Sequence, residues 1–211
     1  MDEIVVGIDE AGRGSCIGPM VIAGIKVNKD KLEDLKKIGI KDSKRLRPEV
    51  REDLLNKIID IVLGYKIVLV LAQEIDQGII TDIEIEKIKM ITNELKPDKV
   101  IIDKIGGLSR ERFLKKLRLL EPNDIEIIYE KKADRDYLVV AASSILAKVE
   151  RDRAIRDLGY GVSGYPNEKT DEFIRNYLLE HKELPKGIRK RWKNVKELST
   201  QLEFTKLDGF Y

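Results

Sequence analysis

The chain has 211 residues, 42% of them hydrophobic and 37% charged, with a formal net charge of +2. That length and balance predict one soluble core with at most two domains and exclude a disordered chain; no apolar run approaches a membrane span and no signal peptide is read at the start. A lone Cys16 excludes an internal disulfide and fits the reducing cytosol, and the near-neutral charge means that any case for nucleic-acid binding must be local.

The first element is "EIVVGID" (3–9), a short strand rich in β-branched residues, joined by a glycine-rich turn to a second strand, "MVIAGIKV" (20–27). Residues 29–39 read as helical, and "KDSKRLRP" follows as a polar loop. Pro48 suits the first turn of a helix running to about Leu63, with Val50, Leu54, Leu55, Ile58, Ile59 and Val62 on one face. "KIVLVLA" (66–72) is a third strand, and helical spacing resumes from Asp82 to Leu95. "DKVIIDK" (98–104) is a buried strand, 109–120 a helix, "IEIIYEKK" (125–132) a strand, and Asp134–Arg156 one long helix. After a Gly/Tyr/Pro loop at 159–166, residues 168–180 and 185–200 read as charged helices that cap the sheet domain. This order predicts an α/β fold with a mixed sheet, whose strand order periodicity does not supply.

Asp9 and Glu10 close the first strand, Asp103 closes "VIID", and Asp134 stands at a helix start. If the first and fourth strands are neighbours, Asp9, Glu10 and Asp103 converge and Asp134 joins them. Converging hard oxygens with open positions suit Mg²⁺ or Mn²⁺ and phosphoryl chemistry, and no Cys/His cluster argues for zinc. The alternative for each acid taken alone is a turn or helix-capping role. Asp9-Glu10 before a Gly-Arg-Gly turn favours the metal.

The ordered set "GIDEAGRG", "IGPMV", "KDSKRL", "KADRDY", "AASSILAKVERD" and "SGYP" resembles ribonuclease HII in its archaeal form, from residue 7 to about Trp192. The resemblance implies a ribonuclease H-like fold: a mixed five-stranded sheet flanked by helices, with a catalytic domain at 1–158 and a C-terminal helical, substrate-contacting portion at 159–200. It implies hydrolysis of the RNA strand of RNA–DNA hybrids and nicking 5′ to a single ribonucleotide in duplex DNA, leaving 3′-hydroxyl and 5′-phosphate ends. By motif, the four metal-binding acids are Asp9, Glu10, Asp103 and Asp134. In the family's two-ion scheme Asp9 bridges both ions, Asp134 holds the ion that activates water, and Glu10 and Asp103 hold the ion on the leaving group. Gly12-Arg13-Gly14 resembles the sensor of the ribose 2′-hydroxyl, with Arg13 on the adjacent phosphate, and Tyr165 resembles the tyrosine that packs on the following deoxyribose.

Lys44 and Lys148 are candidate phosphate contacts, against the ordinary reading of a lysine as solvated surface. Ser43, Ser143 and Ser144 are read first as helix caps, and His181 as structural. Residues 182–196 carry seven Lys/Arg against one acid, so this face is a candidate track for the DNA backbone, the alternative being a solvated helix. Four positions depart from the family pattern. Ser15 replaces a proline and is expected to loosen the turn; Leu138 replaces another; Asp136 is an added acid, and Thr81 stands where relatives often have asparagine. In the tail (201–211), Leu207, Phe210 and Tyr211 have a spacing similar to the sliding-clamp-binding peptide, though Phe204 occupies the glutamine position; the alternative is a tail docked on its own domain. A monomer is expected. The competing readings are a same-fold nuclease with another substrate and a non-catalytic hybrid- or clamp-binding module. The ribonuclease HIII branch is disfavoured, because a site motif at residue 7 leaves no room for its extra N-terminal domain.

Overall fold

The computed structural model describes residues 3–40, 47–117 and 125–207. Strands β1 (Ile4–Ala11), β2 (Met20–Asn28), β3 (Gly64–Val70), β4 (Lys99–Asp103) and β5 (Glu126–Glu130) form one sheet in the order β3-β2-β1-β4-β5. β1 pairs antiparallel with β2 and parallel with β4, which pairs parallel with β5. The sheet is therefore mixed, and the C-terminal ends of β1 and β4 emerge side by side, with Ile8 opposite Ile102.

Alternation along the strands decides which helices cover which face. Val5 of β1 and Val21, Ala23, Ile25 and Val27 of β2 pack against α7 (Leu138–Asp157), together with buried residues of α1 (Leu32–Lys37) and α2 (Pro48–Ile61). Val6, Ile8, Ile22, Val100 and Ile102 face the other way, onto α4 (Ile80–Leu95) and α5 (Arg110–Leu117). Each fully buried aliphatic side chain in these layers contributes roughly 1.5–3 kcal/mol. Helix α7 is buried from Val139 to Ala147 without a break, because it lies between the sheet and the α1–α2 layer. It crosses β1 at Gly7, where a Cβ would stand 2.5 Å from the carbonyl carbon of Val139. A third cluster joins Cys16 and Ile17 to Val162, to Ile174 of α8 (Glu168–His181), to Ile188, and to Val195 and Leu198 of α9 (Lys193–Leu207).

Several elements differ from expectation. The strand read at 66–72 ends at Val70, and Ala72–Gln77 forms a short helix, α3, that periodicity over so few residues does not reveal. The long helix expected from Asp134 is two: α6 (Ala133–Asp136) and α7, separated by Tyr137 in extended backbone (φ −118, ψ 120). Leu138 in place of proline does not remove this break. The helix expected at 185–200 begins only at Lys193. Before it, Gly187 has φ +77 and Ile188 bridges to Ile17, so this stretch is a structured loop against the sheet domain. In α2 the buried face is narrower than read, since Leu54, Leu55 and Ile58 are buried whereas Val50 and Ile59 are exposed. No helix among the described residues is long and apolar enough to cross a membrane.

Candidate active site

The acids lie at the C-terminal ends of neighbouring strands: Asp9 and Glu10 immediately precede Ala11, the last residue of β1, and Asp103 is the last residue of β4. Asp9 continues the α7-facing row of β1, and Glu10, one residue on, continues the α4-facing row. Asp103 ends β4 beside Asp9, one step past the Ile8–Ile102 pair. Each aspartate is anchored by the chain that follows it: Asp9 Oδ1 accepts from Glu10 N–H at 2.9 Å, and Asp103 Oδ1 accepts from Lys104 N–H at 2.9 Å. Asp103 Oδ1 also accepts from Ala133 N–H at 3.1 Å, which ties the start of α6, and with it the adjacent Asp134, to the end of β4.

The electrostatics of this cluster are strained in one direction. Burial, and then the neighbouring Glu10 and Asp103, hold the Asp9 carboxyl well above the usual carboxylate range, against a hydrogen bond from the Ser144 hydroxyl. Burial also pushes Glu10 up to about 7, followed by repulsion from Glu84 and Asp103. Repulsion among buried carboxylates is what a divalent cation relieves, and the donor set is all hard oxygen, which suits Mg²⁺ or Mn²⁺. Among the described residues no three such side chains already close on one point as a finished ion cage. The fit lies in donor chemistry and uncompensated charge.

Glu84 has no counterpart in the sequence reading. It lies on the buried stripe of α4 with Ile88 and Ile91, and only 1% of its surface is exposed. Its Oε2 accepts from Arg13 Nε at 2.9 Å, while Oε1 is buried without a hydrogen-bond partner. Arg13 Nη2 also donates to Thr81 Oγ1 at 3.1 Å, so the threonine at the asparagine position orients the guanidinium. A charge on an otherwise apolar helical stripe was the sequence signal that could have revealed Glu84. Substituting Glu84→Gln leaves the burial that raises Glu10 most but removes the neighbouring charge that adds to it. The Glu10 pKa in the metal-free protein should therefore fall from about 7 toward the ordinary range, measured by NMR titration of its carboxyl carbon; an unchanged midpoint would remove Glu84 from the site's electrostatics.

The turn after β1 is tight. Gly12 has φ +79, and a Cβ there would stand 2.7 Å from the carbonyl oxygen of Pro19. Ser15 closes the turn instead of loosening it: its N–H donates to Gly12 O at 3.2 Å, a bond proline cannot make, and its Oγ accepts from Arg151 Nη2 at 2.9 Å. Arg151, buried in α7, also donates to the Ser163 carbonyl and lies 4.4 Å beneath the exposed ring of Tyr165. The turn and Tyr165 thus share one support.

Ser143 and Ser144 lie inside α7 and cap nothing. Ser143 Oγ donates to Gly7 O at 2.7 Å, and Ser144 Oγ accepts from Lys148 Nζ at 2.8 Å, which places Lys148 one hydroxyl away from Asp9. The basic run 182–196 is not a uniform solvated face, because Arg189 within it is fully buried. His181 stacks on Tyr177 at 4.0 Å, a structural contact. Asp136 is exposed on α6. Ser43, Lys44, Phe210 and Tyr211 lie outside the described residues, as does the side chain of Leu207, which ends α9. A cavity of about 600 Å³ opens elsewhere, lined by Leu69, Leu71, Leu158 and Pro185 among others, and the strand-end acids take no part in it.

Residues 6–195 match the family model for Ribonuclease HII. The chain is 42% identical over 206 residues to the ribonuclease HII of Thermococcus sibiricus, an overlap of 93% of this chain and 92% of that protein. Among solved structures, the ribonuclease H2 of Pyrococcus horikoshii superposes with a TM-score of 0.88 at 35% identity, covering 95% of this chain and 99% of that one. The RNase HII in the PCNA:RNase HII complex of Archaeoglobus fulgidus superposes with a TM-score of 0.82 at 35% identity, covering 92% and 96%. The sheet and its flanking helices are thus the ribonuclease H-like fold.

Proposed function

Because the chain belongs to the ribonuclease HII family and is a ribonuclease H hydrolase acting on RNA–DNA hybrids, we propose that it also nicks duplex DNA 5′ to a single embedded ribonucleotide. In this reading Asp9, Glu10, Asp103 and Asp134 hold two divalent cations, Mg²⁺ or Mn²⁺. The observation that carries it is the placement of mutually repelling carboxylates, with Asp9 buried and Glu10 half-buried, directly before a glycine turn whose Gly12 has φ +79.

The reaction is attack of water on phosphorus with loss of the 3′ oxygen of the preceding nucleotide, giving 3′-hydroxyl and 5′-phosphate ends. When bound, the cations supply a more acidic water and positive charge opposite the leaving oxygen. The chain's own residues do the positioning. Asp9 is oriented by Glu10 N–H and Ser144, and Asp103 by Lys104 and Ala133 N–H. Arg13, held on two sides by Glu84 and Thr81, keeps its remaining donors for a phosphate oxygen. Lys148 supplies a second positive charge close to Asp9. At Gly12 and Gly14 the backbone can approach the 2′-hydroxyl, and Tyr165 offers an exposed ring for the next deoxyribose. Residues 159–200 serve as the substrate-contacting portion, with Lys44 as a further phosphate contact. A monomer acting in the cytoplasm is part of the same proposal. The relative solved in complex with PCNA supports reading Leu207, Phe210 and Tyr211 as a clamp-binding peptide.

The test is incubation of the protein with a DNA duplex holding one ribonucleotide, in Mg²⁺, in Mn²⁺ and in chelator. Metal-dependent nicking on the 5′ side of the ribonucleotide is the expected result. Cleavage of continuous hybrids alone would restrict the activity to long RNA tracts, and binding without cleavage of either would favour a non-catalytic module.

A further inference from the structure

The loop between α8 and α9 reaches back to the turn after β1 and takes hold of the carbonyls of Gly12, Arg13 and Gly14. Arg189 Nη2 donates to Gly12 O at 2.7 Å and Nη1 to Arg13 O at 2.9 Å, while Nε donates to Gly18 O at 3.0 Å. The Trp192 indole N–H donates to Gly14 O at 3.4 Å, and its ring lies 4.9 Å from the Arg189 guanidinium. The backbone of Arg189 is itself bound in, its N–H donating to Cys16 O at 2.8 Å.

Arg189 is fully buried, and among the described residues its hydrogen-bond acceptors are carbonyls, with no carboxylate paired to it. A buried cation without a counter-ion is costly to hold, so its acceptors must stay in place. Burial, and then the nearby Arg151 charge, lower its pKa to about 10, which leaves it protonated at neutral pH. Only a planar fork of donors meets carbonyls from three residues at once; a lysine ammonium at the end of a flexible stem does not. With the three turn carbonyls directed to this loop, the N–H groups of Arg13 and Gly14 have no acceptor among the described residues. They are the backbone groups left for a ligand.

We propose that Arg189, assisted by Trp192, is the positioning residue of the ribose-reading turn, so that the C-terminal loop decides which backbone groups of Gly12–Gly14 face the substrate. The proposal rests on the reading that this turn meets the ribonucleotide. Arg189 acts through the turn and does not itself touch the substrate.

The experiment uses the full chain as wild type, Arg189→Lys and Trp192→Phe. For each, kcat/KM is measured on a DNA duplex with one ribonucleotide, and the inhibition constant of the matching all-DNA duplex is measured in parallel. Amide hydrogen exchange of residues 11–15 is followed in the free protein. Loss of charge-assisted hydrogen bonds predicts that Arg189→Lys lowers kcat/KM by about tenfold to a hundredfold, with the all-DNA inhibition constant shifted less than about threefold. Exchange at Gly12–Ser15 should quicken. Trp192→Phe, at a half-buried position where an aromatic ring is kept but the indole N–H is lost, should show the same pattern more weakly, which keeps the test open if Arg189→Lys does not fold. A merely structural role would move both constants by one factor, or neither, and that outcome overturns the proposal. If the wild type fails to nick at the ribonucleotide, the functional reading falls separately, and unchanged exchange in both variants overturns the role assigned to Arg189.

Discussion

Replacing Asp9 by asparagine is expected to abolish cleavage while making the metal-free protein more stable at neutral and higher pH. The loss of activity should exceed about a hundredfold, since it removes several kcal/mol of charge stabilisation from a metal-assisted step. The gain in stability follows from the sign of the pKa shifts. Asp9 is held well above its ordinary value and Glu10 is raised to about 7, so the folded state binds these protons more tightly than the unfolded chain does. Their favourable contribution is complete below the unfolded carboxylate range of about 4 and is lost as pH rises through the folded values. The burial-raised Glu84 has the same sign. In chelator, the wild type should therefore melt lower at pH 8 than at pH 5, Asp9→Asn should narrow that gap, and Mg²⁺ should restore the wild type mainly at pH 8. Equal melting temperatures at the two pH values, read by calorimetry, would show that burial and mutual repulsion do not raise these carboxyls as their placement requires.

A methyl group at Gly7 is expected to cost about 3 kcal/mol, near the upper end for overpacking. The Cβ of Gly7→Ala would stand 2.5 Å from the backbone carbon and oxygen of Val139 and 2.6 Å from the nitrogen of Val140, so relief requires α7 to withdraw as a body. That movement lengthens the Ser143 bond to Gly7 O and displaces Ser144 from Asp9, so the folded fraction should also lose activity. Gly14→Ala is the contrast, since nothing lies within 4 Å of the added methyl and the stability should stay within about 0.5 kcal/mol. Urea denaturation of the two variants reads the difference. A Gly7→Ala protein as stable as the wild type would mean that α7 is not seated on β1 as described.

Much of this architecture is legible in the chain because it follows from local pattern. β-branched runs broken by glycine and charge mark the five strands, the alternating α/β order implies a mixed sheet, and aspartates placed directly after "VVGI" and "VII" stand at strand ends without any need of coordinates. The ordered motifs indicate the family to which the chain belongs. Element ends were less legible. Nothing local distinguishes the helical turn at Ala72–Gln77 from the end of a strand, or the extended Tyr137 from the helix around it.

Tertiary structure alone decided how charge is distributed around the site. Whether Asp9 meets Asp103 depends on β1 lying beside β4, a pairing between residues far apart in the chain. Arg189 stands in a basic run that reads as a track for the DNA backbone or a solvated helix face, yet it is buried because carbonyls of residues 12, 13 and 18 accept its hydrogen bonds. Glu84 is buried because Arg13, at the end of another element, reaches it. Periodicity records whether a side chain meets water or core, so it determines elements and faces. A buried charge is tolerated only through partners that the fold brings from elsewhere, and for that reason the positioning residues of this site emerge only once the chain is folded.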